Sequence, residues 1–261
     1  MSPHYLFYFF IVLNSMKKNL RDAILWYAIQ NDGDWKQIAH FLQVKAPYKK
    51  VEYAYPFVTR ADKEYPRCFL QLRYPPWILF YQGNLSYLSQ KCVGIIGARD
   101  CTDLALKNTR EVVNVLKKKY VIVSGLAKGI DAMAHKSAFD QRTIGIIGCG
   151  IDRIYPKENQ DLYQIMANQH LILSEYPMQT APKAHHFPWR NRLIAACSSS
   201  IVVIQARCKS GTMHTVNECL ELSKPVYCLP SAYEDKVYQG CNVLIQNGAL
   251  SIVQEQDLYE I

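Results

Sequence analysis

Six basic residues follow apolar, strand-like segments of the sequence and lie in loops or in the first turns of predicted helices. They are Arg99, Lys128, Lys183, Arg190, Arg192 and Lys209. Phe187 and Trp189 lie among them in the sequence. Arginine and lysine neutralise phosphate groups, and aromatic rings stack on unpaired bases. As a cluster, these residues favour a surface that binds a phosphate backbone, whereas each one singly fits a solvated charge or a packing residue as well.

The predicted elements bring these residues to one edge of a sheet. In the segment Val93–His135, a strand ends at Gly97, a helix runs from about Asp103 to Lys118, and a second strand ends at Ser124. Further strands are predicted at Thr143–Ile147, Leu171–Ser174, Ile201–Gln205 and Val226–Leu229, and further helices at Glu158–Gln169, Trp189–Cys197 and Thr212–Leu222. About six core strands that alternate with helices indicate an α/β fold with a doubly wound, Rossmann-like sheet. The turns after parallel strands share one edge, where helix N-termini offer N–H groups to phosphate.

The first ninety residues are predicted as two smaller parts. Residues 1–50 form a small N-terminal helical region, with two helices between Asn19 and Gln43. Packing of this region against its neighbour is favoured over a separate DNA-binding role, because so small a helical pair needs a partner surface. Residues 51–90 form a Pro/Tyr-rich linker that ends in an edge strand, and residues 91–261 form the Rossmann-like domain.

Composition narrows the setting in which the protein works. Thirty Lys and Arg residues against 22 Asp and Glu give a net charge of +8, which favours an acidic partner such as nucleic acid. The nine cysteines include no C-x-x-C pair, so a reducing cytoplasm without disulfides or zinc is expected. The apolar run Tyr5–Leu13 is too short to span a bilayer, and Met16 is a second possible start.

The sequence lacks the motifs of several common enzyme classes. The glycines near Gly94 and Gly145 miss the G-x-G-x-x-G spacing of dinucleotide enzymes, and no Walker A lysine or G-x-S-x-G serine occurs. Asp131 and His135, four residues apart, could serve a metal or a general base. A capping role for Asp131 and a core hydrogen bond for His135 are favoured instead. We therefore expect no catalytic site, cofactor or metal.

Several longer motifs occur in a fixed order. They are SGLAKGIDAMAH at Ser124–His135, GCG at Gly148–Gly150 with Tyr155-Pro156, SEYP at Ser174–Pro177, FPWRNRLIAA at Phe187–Ala196, SGT at Ser210–Thr212 and GCNVLIQNGA at Gly240–Ala249. From about Asp62 to the C-terminus, the sequence closely resembles the DNA-processing protein A family, DprA or Smf. Residues 19–43 are similar to a shortened form of the sterile-alpha-motif-like domain that often precedes the core. The winged-helix domain that some members add at the C-terminus is not expected here.

The resemblance implies a function and a set of site residues. Such proteins are cytoplasmic and non-enzymatic, bind and protect incoming single-stranded DNA in natural transformation, help load the recombinase RecA, and form homodimers. The resemblance and the basic rim together assign DNA binding to Gly97, Arg99, Ser124, Gly125, Lys128, Gly129, Lys183, Phe187, Arg190, Asn191, Arg192, Ser210, Gly211 and Thr212. Phosphates are expected on Arg99, Arg190 or Arg192, and bases near Phe187. The sequence departs from the family at Gln205, where many members have Glu, and at Ala184, where many have Lys.

Two alternatives remain open at this point. The nucleoside-monophosphate phosphoribohydrolases resemble this chain in fold, but their PGGxGTxxE motif is not met, because Cys208–Thr212 lacks the paired glycines and Glu218 lies six residues beyond Thr212. The other alternative is a scaffold that binds only protein and has no salt-dependent affinity for DNA.

Overall fold

The computed structural model describes residues 18–261, which contain one sheet of nine strands. Tyr5–Leu13 and Met16 lie outside the described residues. The strands are β1 Phe57–Thr59, β2 Ile78–Gly83, β3 Cys92–Ile96, β4 Val121–Ser124, β5 Thr143–Ile147, β6 Leu171–Ser174, β7 Ser200–Val203, β8 Val226–Cys228 and β9 Leu250–Ser251. Their order across the sheet is β1-β2-β6-β5-β4-β3-β7-β8-β9.

The strand order identifies the part of the sheet that can hold a ligand. The strands from β6 to β9 along the sheet are all parallel, and they include the six core strands that the sequence predicts. The chain moves from β3 outward through β4, β5 and β6, and then returns to the other side of β3 as β7. The direction of winding therefore reverses between β3 and β7. In doubly wound sheets, ligands bind at this position, beyond the carboxyl ends of the strands.

The far side of the sheet corrects one prediction. Strand β2 was expected at the edge, but it lies between β6 and β1 and is antiparallel to both. Phe57 pairs with Phe80, so β1 is the true edge strand. A strand of three residues leaves almost no alternation in the sequence, which is why the pattern does not reveal β1.

Eight α-helices accompany the sheet within the described residues. They are α1 18–30, α2 Trp35–Gln43, α3 Asp103–Leu116, α4 Ile130–Ser137, α5 Gln160–Gln169, α6 His186–Cys197, α7 Gly211–Glu221 and α8 Gly240–Gln246. Helix α6 begins three residues before the predicted start at Trp189, because the first helical turn accepts Pro188 without losing a hydrogen bond.

Helix α4 contains Asp131 and His135, and it bears out the expectation for only one of them. Gly129, at φ +72°, occupies the N-cap, so the expected capping role of Asp131 is wrong and its side chain lies in the first helical turn. The expectation for His135 is confirmed, because its Nδ1 lies 2.7 Å from the Thr143 hydroxyl in a fully buried position.

The N-terminal helices pack on the sheet, as expected. Ile24 and Ile38 belong to the same buried cluster as Phe80 and Ile172. The turn between α1 and α2 also approaches the main fold closely, because a Cβ atom at Gly33 would lie 2.7 Å from the Glu175 carbonyl oxygen. Burial of this apolar surface stabilises a helical pair that would be marginal alone. The boundaries at residues 50 and 90 stay predictions.

Helices long and apolar enough to cross a bilayer do not occur in the described part of the chain, residues 18–261.

Candidate nucleic-acid interface

A groove of about 650 Å³ lies at the carboxyl edge of the sheet, where the winding reverses between β3 and β7. Its walls are the turn after β3, the turn after β4, the first turns of α6, and the loop that leads into α7. A smaller pocket of about 90 Å³ adjoins it. This pocket is lined by Arg99, Gly125, Ala127, Lys128, Tyr155, Pro156, Phe187 and Arg190.

The turn after β3 holds Arg99 at the rim through contacts of its backbone. The Ala98 N–H donates to the Gln205 carbonyl oxygen at 2.8 Å. A Cβ atom at Gly129 would lie 2.4 Å from the Ala98 carbonyl oxygen, so the start of α4 presses directly on this turn. Gly97 is equally confined, because its Cβ would lie 3.0 Å from the Gln205 carbonyl oxygen. These close approaches need small residues and fix the place from which the exposed Arg99 side chain extends.

The turn after β4 contributes backbone to the site. The Ser124 hydroxyl is buried and donates to the Ile95 carbonyl oxygen at 2.6 Å, so it is engaged inside the sheet and does not line the groove. Leu126 adopts φ +57°, a left-handed conformation that is uncommon for this residue type. The buried Leu126 side chain packs against Gly145, whose Cβ would lie 2.5 Å from Leu126 Cδ1. Gly125 is left facing the smaller pocket.

Arg190 lies in the floor between the two cavities and is 4% exposed. Its Nη1 donates to the Ile146 carbonyl oxygen, and its Nε finds no hydrogen-bond acceptor anywhere in residues 18–261. A Cβ atom at Gly125 would lie 2.1 Å from Arg190 Nη1 and 2.6 Å from Asp131 Oδ2, so both charged groups border one small volume. Burial raises the pKa of Asp131, and the Arg190 guanidinium opposes that shift. The floor therefore carries a fixed positive charge with one unused donor.

Phe187 is the aromatic ring of the groove. It is partly buried, with its centroid 5.3 Å from that of Tyr155 and the Arg99 guanidinium 5.4 Å from its ring centre. Trp189, which was expected beside it, lies elsewhere. Its ring contacts Tyr74 at 5.8 Å and the Arg192 guanidinium at 4.1 Å, and it does not line the groove. Two residues along a helix differ by about 200° in direction, which separates these two rings.

The first turns of two helices close the groove. Ser210 is the N-cap of α7 but makes no side-chain capping bond, and its hydroxyl has no partner within residues 18–261. Asn191 of α6 donates to the Gly211 carbonyl oxygen at 3.4 Å, which joins the two helices. Helix N-termini carry free N–H groups and a partial positive charge. The groove thus combines two helix starts with basic side chains.

Most of the residues expected in the site are brought together. The groove is lined by Gly97, Arg99, Phe187, Arg190, Asn191, Ser210, Gly211 and Thr212, and the adjoining pocket by Gly125 and Lys128. Gly129 lies behind the turn after β3 and supports it.

The structure places a further three of the expected contact residues outside the groove and the adjoining pocket. Ser124 is engaged inside the sheet, as described above. Arg192 is 4% exposed, lies outside the groove lining, and donates to both oxygens of the buried Glu175 carboxylate, at 2.6 and 2.7 Å. Lys183 is exposed, outside the groove lining, and lies 3.5 Å from the Asp32 carboxylate.

Several lining residues are absent from the sequence prediction. Arg207 lines the groove and pairs with Asp100 across its mouth at 3.0 Å, although both side chains are largely exposed. Arg207 follows β7, so the rule of basic residues after strands could have found it. Tyr155 lies eight residues beyond the end of β5, and only the path of that loop brings it to Phe187. Asp131 and Asp100 are the carboxylates of the lining, and Glu218 is outside it.

Comparison with known proteins places this chain in a family. The family model described as DNA recombination-mediator protein A matches residues 56–261. The DNA processing protein DprA of Streptococcus pneumoniae (strain ATCC BAA-255 / R6) is 38% identical over 206 residues, which cover 78% of this chain and 73% of the relative.

Two solved structures extend the comparison to the fold. The X-ray structure of DNA processing protein A from Streptococcus pneumoniae superposes with a TM-score of 0.79 at 30% identity, and the match covers 95% of this chain and 96% of that one. A structure of DNA processing protein A from Helicobacter pylori, whose subject is the single-stranded DNA binding mode of that protein, gives a TM-score of 0.73 at 32% identity over 80% of this chain and 95% of that one. The expected family is therefore confirmed, and the chain belongs to the DNA recombination-mediator protein A family.

Proposed function

We propose that this protein binds single-stranded DNA in the groove between β3 and β7, as a DNA-processing protein of natural transformation and without catalysing a reaction on the strand. The observation that carries the proposal is the convergence, in one groove, of the exposed Arg99, the buried Arg190 and the first turns of α6 and α7. Single-stranded DNA binding by the Helicobacter pylori relative supports the same assignment.

Each part of the groove has a separate role in this proposal. Arg99 neutralises a phosphate at the rim, and the N–H groups at the start of α7 donate hydrogen bonds to a second phosphate. Arg190 supplies a fixed positive charge from below, where solvent does not screen it. Phe187, with Tyr155 beside it, offers a ring to an unpaired base. Since every base has a stackable face, sequence preference is weak.

The wider biological role rests on the family. The protein acts in the cytoplasm, forms a homodimer and helps to load RecA on the strand that it holds. Light scattering tests the dimer, and a strand-exchange assay with RecA, with and without this protein, tests loading.

The binding itself is tested by fluorescence anisotropy with oligo-dT and with the same sequence as a duplex, over a salt series. We expect tighter binding of the single strand, with log K falling linearly against log salt at about −0.7 per phosphate neutralised. Absence of binding at low salt would contradict the proposal. Release of free base from a nucleoside monophosphate would favour the phosphoribohydrolase alternative.

A further inference from the structure

Four aromatic rings form a continuous row outside the groove, here termed the aromatic ladder. It consists of Trp189, Tyr74, Trp35 and Trp77 in spatial order, with ring centroids 5.8, 5.1 and 5.5 Å apart. These residues come from α6, the Pro/Tyr-rich segment and α2, so the ladder exists only where the N-terminal helices meet the main fold. Each of the four side chains is partly exposed.

The polar edges of the ladder are engaged by the protein itself. Trp35 Nε1 donates to the Pro75 carbonyl oxygen at 2.7 Å, and Trp77 Nε1 donates to the Trp35 carbonyl oxygen at 3.2 Å. These bonds fix the orientation of both indoles. Packing of the N-terminal helices accounts for the buried part of each ring but leaves the exposed part without a role.

Cationic side chains flank the ladder. The exposed Arg60 lies 4.4 Å from the centre of the Trp77 ring, and the exposed Arg73 lies 5.2 Å from that of Tyr74. Neither guanidinium forms a salt bridge with any residue that the structure describes, 18 to 261.

The acidic groups of the same region have partners already. Asp32 pairs with Lys183, Asp34 accepts from the Gln37 N–H at the start of α2, and Glu175 is buried against Arg192. Arg60 and Arg73 are thus exposed cations without a carboxylate partner among residues 18–261, and a polyanion complements them.

The ladder begins on the helix that closes the groove, although the Trp189 ring points away from the groove lining. Trp189 follows the groove residues Phe187 and Pro188 in the first turn of α6. Neighbouring rings are inclined to one another by 35°, 73° and 34°, so the row does not match the parallel bases of a duplex and suits a flexible single strand. Aromatic rings and arginine planes both stack on unpaired bases.

We propose that the aromatic ladder is a second contact surface for single-stranded DNA, which the strand reaches on leaving the groove. This inference rests on the proposed function of the groove. The strand stacks bases on the exposed parts of the rings and places phosphates against Arg60 and Arg73.

The test compares two lengths of oligo-dT, one of about 6 nucleotides that fills the groove and one of about 20 that reaches beyond it. The double variant Arg60→Ala/Arg73→Ala is measured against Arg110→Ala/Lys118→Ala, which removes two exposed charges from and just beyond α3. We expect the first variant to lose about tenfold in affinity for the long oligonucleotide and almost nothing for the short one. In the control variant, the affinities for the two lengths should change by the same factor. Tyr74→Leu should also lose affinity for the long oligonucleotide only. Tyr74→Phe should bind like the unaltered protein, since it keeps the ring.

The outcomes separate the ladder from the groove. Equal affinity of the double variant and the control for the long oligonucleotide would overturn the ladder and leave the groove in place. An equal loss for both lengths would also overturn it, because the residues would then act on the groove. Failure of the unaltered protein to bind either length would overturn the proposed function itself.

Discussion

The floor and the rim of the groove hold positive charge in opposite ways. The floor consists of Arg190 and Asp131, both almost fully buried, whereas Arg99, Lys128 and Arg207 at the rim are exposed. Lys128 lies 2.5 Å from Glu158, a second exposed side chain. Exposed pairs are screened by solvent and salt and contribute little to stability, whereas buried charges depend on their neighbours.

This difference assigns separate tasks to the two regions. The rim attracts a phosphate backbone and sets the salt dependence of binding, and its loss leaves the fold intact. The floor links binding to folding, because the same guanidinium that faces the groove also compensates a buried carboxylate. Substitutions in the two regions should therefore be distinguishable by measuring stability and binding together.

The strongest test is Arg190→Ala. It removes a buried side chain whose positive charge favours the ionised form of Asp131, and we expect the free energy of unfolding to fall by about 3 kcal/mol, together with loss of single-strand binding. Urea denaturation and anisotropy measure the two effects. The double variant Arg190→Ala/Asp131→Ala should recover much of the stability but not the binding. Unchanged stability in the single variant would remove the distinction between floor and rim.

The pH dependence of stability extends the comparison to a buried histidine of α4, His135. Burial lowers the pKa of His135 from 6.5 to about 3, so below pH 6.5 the unfolded chain binds a proton that the folded protein excludes. This stability is fully present above the unfolded pKa and is lost as the pH falls towards the folded one. Between pH 6.5 and about pH 5, the loss from His135 amounts to about 2 kcal/mol.

Urea denaturation at several pH values measures this loss. His186, whose pKa burial lowers to about 4, changes stability in the same direction. The free energy of unfolding of His135→Gln should therefore depend less steeply on pH than that of the unaltered protein, and His186 accounts for part of the dependence that remains. If the free energy of unfolding of the variant changed with pH as steeply as that of the unaltered protein, His135 would not titrate with unfolding.

Gly125→Ala disturbs the floor without removing a charge. The new methyl group would lie 2.1 Å from Arg190 Nη1, so the guanidinium must shift within a closed space. We expect a destabilisation of about 1–3 kcal/mol and weaker single-strand binding. Gly94→Ala is a matched control, because a Cβ atom there would lie 2.8 Å from Ile201 Cγ2 in the sheet and outside the groove lining. Equal affinities of these two variants would mean that the position of Arg190 does not matter for binding.

The smallest effect on stability is expected at the rim. Arg99→Ala removes an exposed side chain, so the free energy of unfolding should change by less than about 0.5 kcal/mol. The affinity for oligo-dT should nevertheless fall, and the slope of log K against log salt should become shallower by about 0.7. Arg110→Ala, an exposed arginine of α3, provides the control. An unaltered salt slope in Arg99→Ala would remove this residue from the site.

Arg190 and Arg192 illustrate what the sequence could not predict about the site. Both lie in the motif FPWRNR, and both were expected to hold phosphate. They are two positions apart on α6, so they point in directions about 200° apart, and only one of them can face the groove. Arg190 faces it, and Arg192 is held by Glu175. The register of the helix against the sheet decides between them, and no local pattern reports that register.

The sequence by itself determined the alternation of strands and helices, the family, and the turns that build the groove. Strands β5 and β6 have the bounds that their apolar runs predict, because runs buried on both faces are a local property of the chain. Only the tertiary structure decided that Arg190 and Asp131 border one volume, that Tyr155 lies beside Phe187, and that four rings from three segments form the aromatic ladder. Such contacts join residues far apart in the chain, and their geometry depends on how whole elements pack.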